Sequence, residues 1–242
     1  MHVVTLNHQL LILYSTRLSL VLEKHFLSAF DMSTSTKSTS ANYMASRYSI
    51  TDKTARLFMH KVREAMKSQE QYPMNGEVNV DEFVIGGKEE TKVGRSNDSK
   101  KKKVVGAVEL SEAGKVKRFY AKSIDNYSSK ELRKVFDAHI SKDADILTDK
   151  WKGYIPLMAE YKIEQEESNG GVNFLALHNV IHQVKSWIRT TFSWVSEKHI
   201  ERYLNEFSYR LNRSVFKETI FNNIICRMVK ADRIYHEQIV CS

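Results

Sequence analysis

The chain has 242 residues, of which 42% are hydrophobic, with two prolines and nine glycines; this excludes a disordered or fibrous protein and suits one medium domain plus a small one. A formal charge of +8 and a pI near 9.3 favour an anionic partner, nucleic acid first among them. Two cysteines, Cys226 and Cys241, make neither a disulfide framework nor a CxxC zinc signature, so the expected home is a reducing cytoplasm.

The first 25 residues are an atypical N-terminal segment. The apolar run over 6–26 lacks the basic start and small-residue cleavage site of a signal peptide. Arg17 and several Ser/Thr interrupt it, so it is expected to be a helix packing on the body, with no membrane role. Residues 26–68 are predicted as a helix-turn-helix region. Ser40 can cap a first helix with Tyr43, Met44 and Tyr48 on its apolar side, and Thr51 or Asp52 a second. In the second helix Ala55, Phe58, Met59, Val62 and Met66 recur at helical spacing. Lys53, Arg56, Lys61 and Arg63 are then offered outward, as a DNA-binding helix would offer them, although a plain helical hairpin has the same pattern.

Residues 69–77, with the first proline, read as a linker. Beyond it the period changes. Residues 78–87 alternate into a Gly pair and predict a strand; 88–103 are polar and predict a loop; 104–110 and 116–124 predict a hairpin around the turn at 112–114. The loop ends in Lys100, Lys101, Lys102 and Lys103, either a solvated run or a salt-dependent phosphate contact. Residues 128–140 predict a helix with Ser128 and Glu131 as a capping box. A short buried strand with Ile146 and Leu147 ends at Thr148 and Asp149. Helices follow over 173–192, 195–214, capped at Ser196, and 216–235. The order is an α/β layered pattern: three antiparallel strands, a helix, a further strand, then helices.

Asp81 stands amid Val78, Val80, Phe83, Val84 and Ile85, where a carboxylate costs free energy unless it is paired or metal-bound. Asp149 ends the other buried strand, and sites in open α/β sheets gather at strand ends. Two carboxylates on neighbouring strands would suit Mg²⁺ or another hard divalent cation. Each is equally the residue type of an ordinary strand end. On the helix over 173–192, His178 and Lys185 lie two turns apart on one face; Asn179 points about 100° away. His182 shares the face of His178. Trp187, Arg189, Phe192 and Trp194 interleave aromatic and basic groups, which suits core packing for Trp187 or stacking on unpaired bases.

In order and spacing, VNVDEFVIGGKEE, VVGAVE, LTDKWKGY, the helix through Lys185 and VSEKHIERYLNEFSYRLNRS resemble the ISXO-like insertion-sequence transposases, which are DDE-type enzymes. The resemblance covers about residues 26–214, and VDEFVIGGK and the last stretch are its most specific parts. It implies a ribonuclease H-like catalytic core over 78–214, a C-terminal helix over 215–242, and a divalent metal, Mg²⁺ or Mn²⁺. It implies cleavage of element ends and strand transfer by the freed 3′-OH, in a homodimer on paired ends in a bacterial cytoplasm. Asp81 and Asp149 match the two catalytic Asp, and Lys185 the family's helix lysine. His178 stands where many relatives have the third ligand, Glu, and where some groups have His or use Asn nearby. An imidazole there would weaken Mg²⁺ binding and favour Mn²⁺. Asn179 and His182 stay open as alternatives. Lys53, Arg56, Lys61, Lys100–Lys103 and Arg189 are the expected DNA contacts. Many relatives begin with a zinc ribbon; with no cysteine before 226, end recognition here is expected to rest on 38–67. The alternative function is a decayed or co-opted DNA-binding relative.

Overall fold

The computed structural model describes residues 19–35, 38–86 and 101–240. In chain order its elements are α1 (Ser19–Thr34), α2 (Ala41–Tyr48), α3 (Asp52–Met66), β1 (Glu77–Ile85), β2 (Lys102–Leu110), β3 (Val116–Ile124), α4 (Ser129–His139), β4 (Asp145–Thr148), β5 (Lys162–Gln165), α5 (Leu175–Thr191), α6 (Ile200–Asn212), α7 (Lys217–Lys230) and α8 (His236–Val240), with short 3₁₀ turns between them. They divide into two units: Met1–Ala65 with Lys217–Ser242, and Met66–Phe216.

In the first unit, α1 buries Ala29 and Met32 and wedges Phe26 and Phe30 edge-on against Phe221 of α7, at 4.7 and 5.1 Å between ring centroids. Asp31 ties α1 to α2 by accepting from the Tyr48 hydroxyl at 2.8 Å and pairing with Arg47 at 3.0 Å. The expected pair of capped helices forms. The Ser40 hydroxyl accepts from the Tyr43 N–H, and Ser49, left-handed at φ 49°, ends α2. The Thr51 hydroxyl then accepts from the Thr54 N–H and starts α3. Lys53, Arg56 and Lys61 are exposed as predicted. Arg63 is not: it is 2% exposed, because α3 buries a stripe wider than its apolar residues and takes in His60 and Arg63.

The second unit is built on a five-stranded sheet in the order β3-β2-β1-β4-β5. The pairs β1–β2 and β2–β3 are antiparallel; β1–β4 and β4–β5 are parallel. The three expected antiparallel strands and the further strand are present. β5 is an addition: KIEQ has one apolar residue, Ile163, and too weak an alternation to predict a strand by itself.

Two cores cover the two faces. Val78 and Val80 of β1, Val105 and Ala107 of β2 and Ile146 of β4 meet Leu132, Val135 and Phe136 of α4, with Tyr154 and Leu157 of the 3₁₀ turn. On the other face Phe83, Ile85, Val104, Val108 and Phe119 meet Leu177, Val180, Ile181, Val184 and Ile188 of α5, with Leu204 of α6. Central β2 is buried along almost its whole length, which is why VVGAVEL shows no polar alternation. Gly106 sits where a Cβ would come within 3.1 Å of Phe83 and 3.2 Å of Phe119.

Three expectations change in this unit. The 69–77 stretch is not a free linker. Met74 is fully buried, bridges to Ile140, and exchanges backbone bonds with His139 and Ser141 at 2.7 and 2.9 Å. Arg118 donates to the carbonyls of Tyr72 and Pro73 while paired with the buried Glu109. The loop ends earlier than 103: Lys102 and Lys103 belong to β2, opposite Ile85 and Val84. Ser128 is at the N-cap of α4 but makes no side-chain cap bond, and Glu131 is instead buried beside Lys134 at 2.6 Å.

Candidate metal centre

The site forms where β4 stops. The parallel ladder between β1 and β4 runs as far as Val80 opposite Thr148, so Asp81 and Asp149 are the next positions on adjacent strands. β1 continues, held on its other side by β2, with Asp81 opposite Gly106. Beyond Thr148 the chain turns away: the Asp149 carboxylate accepts from the Trp151 N–H at 3.1 Å, and the Gln165 amide donates to the carbonyls of Asp149 and Trp151 at 2.8 and 3.0 Å. The Trp151 indole N–H reaches the Tyr127 carbonyl at 3.0 Å. It lies so close over Gly153 that a Cβ there would be 2.5 Å from the indole nitrogen and 2.9 Å from the Tyr127 oxygen. In TDKWKGY, Thr148 ends the strand, Asp149 makes the turn, Trp151 locks it and Gly153 gives it room.

Asp81, Glu82 and Asp149 each bring a carboxylate oxygen within 4.8 Å of the others, the one such cluster of potential ligands among the described residues. Glu82 was not among the residues the sequence singled out. Strand alternation places Asp81 on the α5 face and Glu82 on the α4 face. Because β4 ends at Thr148, no backbone separates the two faces beside Glu82, and both carboxylates reach the same corner. Its adjacency to Asp81 is visible in the sequence, but strand alternation sends it to the other face and so hides it.

His178 comes from α5 across the sheet. Its Nε2 is 3.2 Å from Asp81 Oδ2, while Asp81 Oδ1 accepts from the Glu82 N–H at 2.8 Å. His178 is thus brought to the site beside Asp81 but is not one of the mutually close ligand set. Asn179 and His182 are exposed on α5. Lys185 shares the His178 face as expected, with its Nζ 5.5 Å over the Phe83 ring. Burial lowers its pKa from the ordinary lysine value; Asp81 opposes the shift and Lys101 adds to it.

Tyr154 closes the corner from the α4 side. It is fully buried, and its hydroxyl makes no well-formed hydrogen bond, with the Glu82 carboxylate as the acceptor within its reach. Burial first, then the facing Glu82 carboxylate and the charges of Asp81 and Asp149, hold the phenol well above its usual pKa.

The expected DNA contacts are dispersed. Lys53, Arg56 and Lys61 lie on α3, with Arg56 paired to Asp52 at 2.7 Å. Arg189 is exposed on α5. Lys100 lies outside the described residues. Lys103 is buried and donates to the Asp125 carbonyl at 3.1 Å, so it is spent inside the fold. Trp187 is half-buried against Phe192 and Phe207, whereas Trp194 is largely exposed.

The three carboxylates offer hard oxygen donors of the kind a divalent cation takes, and among the described residues no cysteine belongs to the cluster. Among the described residues no helix is long and apolar enough to cross a membrane. No curated protein matches the chain. A family model does, that of the ISXO2-like transposase domain, over residues 73–212, which takes in the whole sheet, Asp81, Glu82, Asp149, His178 and Lys185. With more than half of its length matched, the chain belongs to the ISXO2-like transposase family.

Proposed function

We propose that this transposase cleaves DNA at the ends of an insertion sequence and joins the freed 3′ ends to target DNA, on a ribonuclease H-like core and with a bound divalent metal. The observation that carries the reading is the convergence of Asp81, Glu82 and Asp149 at the end of β4. The strand order, with three antiparallel strands and two parallel ones added beside β1, supports the ribonuclease H-like assignment.

Asp81, Glu82 and Asp149 would hold a divalent cation, which would supply activation of the attacking oxygen and charge to stabilise the leaving one. The other residues of the chain do the rest. His178 fixes one oxygen of Asp81 and so limits its rotation. Lys185, on the same helix face, presents a point charge to the scissile phosphate. Its lowered pKa means that this charge fades at a lower pH than that of a free lysine. The α2–α3 pair serves as a helix-turn-helix, with Lys53, Arg56 and Lys61 on DNA phosphates. The acting species is a homodimer holding paired ends.

The test is cleavage of labelled element ends in Mg²⁺ and in Mn²⁺. Wild type should nick at the 3′ ends. Asp81→Asn and Asp149→Asn should lose at least about a hundredfold in rate while binding the same DNA, since each removes a ligand charge at the reacting centre. DNA binding by all three proteins with no wild-type cleavage in either metal would instead make this a co-opted DNA-binding relative.

A further inference from the structure

His178 lies beside Asp81 but outside the set of mutually close ligand atoms, and the carboxylate that joins Asp81 and Asp149 in that set is Glu82. We propose that Glu82 supplies the third metal-binding carboxylate and that the buried Tyr154 hydroxyl is the positioning group that holds Glu82 in its ligand pose. This rests on the reading of the site as a metal centre.

Two independent observations carry it. One is the backbone: β4 ends at Thr148, so Glu82 can turn towards Asp81 and Asp149 although strand alternation assigns it to the opposite face, and the three carboxylate oxygens lie within 4.8 Å of one another. The other is Tyr154. Its ring is packed in the α4-side core, and its hydroxyl is enclosed with no well-formed hydrogen bond. The acceptor within its reach is the Glu82 carboxylate, and the charges of Asp81 and Asp149 act on it as well. A buried hydroxyl left without a partner is costly, and folded proteins keep such groups mainly where a ligand or a function supplies the missing partner. A carboxylate that gives one oxygen to a cation has its second oxygen free to accept from a donor outside the coordination sphere. Glu82 between a cation and Tyr154 satisfies both groups at once. Glu82 stands in VNVDEFVIGG and Tyr154 in LTDKWKGY, 72 residues apart in the chain, with Tyr154 carried by the 3₁₀ turn over Lys152–Leu157.

His178 then has a different task. Its Nε2 at 3.2 Å from Asp81 Oδ2 makes it a positioning residue for the first carboxylate, as Tyr154 is for the second. Each ligand on β1 is held from its own side of the sheet, Asp81 from α5 and Glu82 from the α4 side.

The measurement is Mn²⁺ binding to the full chain without DNA, read from the loss of the free-ion electron paramagnetic resonance signal and by calorimetry. Wild type, Asp81→Asn, Glu82→Gln, Tyr154→Phe and His178→Ala are compared, with a thermal melt of each. Glu82→Gln should weaken binding as Asp81→Asn does, and Tyr154→Phe should weaken it about tenfold, the effect expected of a group that orients a ligand. His178→Ala should weaken it less than Glu82→Gln. Wild-type affinity in Glu82→Gln or in Tyr154→Phe overturns the inference while leaving the metal centre standing. Absence of Mn²⁺ binding by wild type itself overturns the metal reading on which it rests. Should Tyr154→Phe melt early, Glu82→Asp carries the same test: it keeps the charge but draws the carboxylate back from the hydroxyl, and unchanged affinity there overturns the inference equally.

Discussion

His139 shows at the scale of one residue how this fold turns sequence into pH dependence. It ends α4, is 8% exposed, and stacks on Tyr120 with ring centroids 4.5 Å apart. Burial first, then the positive charges of Lys122 and Lys67, push its pKa from 6.5 down to about 4. The folded state therefore holds a neutral imidazole where the unfolded chain takes up a proton. The stabilisation is fully present above pH 6.5 and is lost as pH falls towards 4, a span worth about 3 kcal/mol. His139→Phe should flatten the loss of stability between those two pH values; a denaturation midpoint that falls in the variant as steeply as in wild type would refute this. The site residues were unequally legible. Asp81 and Asp149 were candidates as acids within or at the end of buried strands, but the resemblance to the transposase motifs was what chose them. Glu82 was not chosen, since alternation places it on the other face and only the end of β4 cancels that rule. His178 was expected at the site because the resemblance puts it at the family's third-ligand position; the structure sets it beside Asp81, outside the mutually close ligand set.

At the scale of elements, α6 contributes more than apolar packing. β3 is an edge strand, and such edges leave backbone groups unpaired. The Asn212 side chain covers one of them, accepting from the Phe119 N–H at 2.7 Å and donating to the Phe119 carbonyl at 2.9 Å. A side-chain amide is the group that can do both. Asn212→Leu should cost about 1–3 kcal/mol, since it leaves a buried donor and acceptor without partners. Asn212→Asp should recover only the N–H bond, and the two variants should order accordingly in thermal melts; equal melting of Leu, Asp and wild type would show the clamp to be unimportant. Glu109 has a comparable linking role. Burial alone would raise its pKa, but bonds from Arg118 and Lys117 outweigh burial and hold the carboxyl below the usual range. Through Arg118 that charge reaches the Tyr72 and Pro73 carbonyls and ties the 69–77 stretch to the sheet. Sequence periodicity found α2 to α7 and the first four strands, but not α8 or the bounds of α1. It missed this attachment because hydrogen bonds from a side chain to distant carbonyls leave no periodic trace.

For the whole molecule the net charge of +8 sets the expectation for DNA binding. The binding constant should fall steeply with salt, because every phosphate neutralised releases counterions, with a logarithmic slope of about −0.9 per contact. If Lys53 and Lys61 each meet a phosphate, the double variant Lys53→Ala, Lys61→Ala should lower the slope by roughly 2, while Asp81→Asn leaves it unchanged. An unaltered slope in the double variant would remove α3 from the interface. Lys103 belongs outside such a count, as its charge is spent on the Asp125 carbonyl.

By itself the sequence determined the class of the protein: an α/β chain with a capped helical pair ahead of it, two acids at strand positions, and motifs shared with a transposase family whose model matches residues 73–212. These are local properties, set by spacing, capping and residue type along a few turns or a few strand residues. Only the tertiary structure decided which carboxylates meet, that Arg63 and Lys103 are buried rather than offered to DNA, and that Tyr154 stands behind Glu82. The reason is that each depends on where an element ends and what lies across the sheet from it. One residue more in β4 would pair Asp149 with Asp81 in the ladder instead of letting the chain turn there, and nothing in the spacing of DEF or TDKW fixes that length.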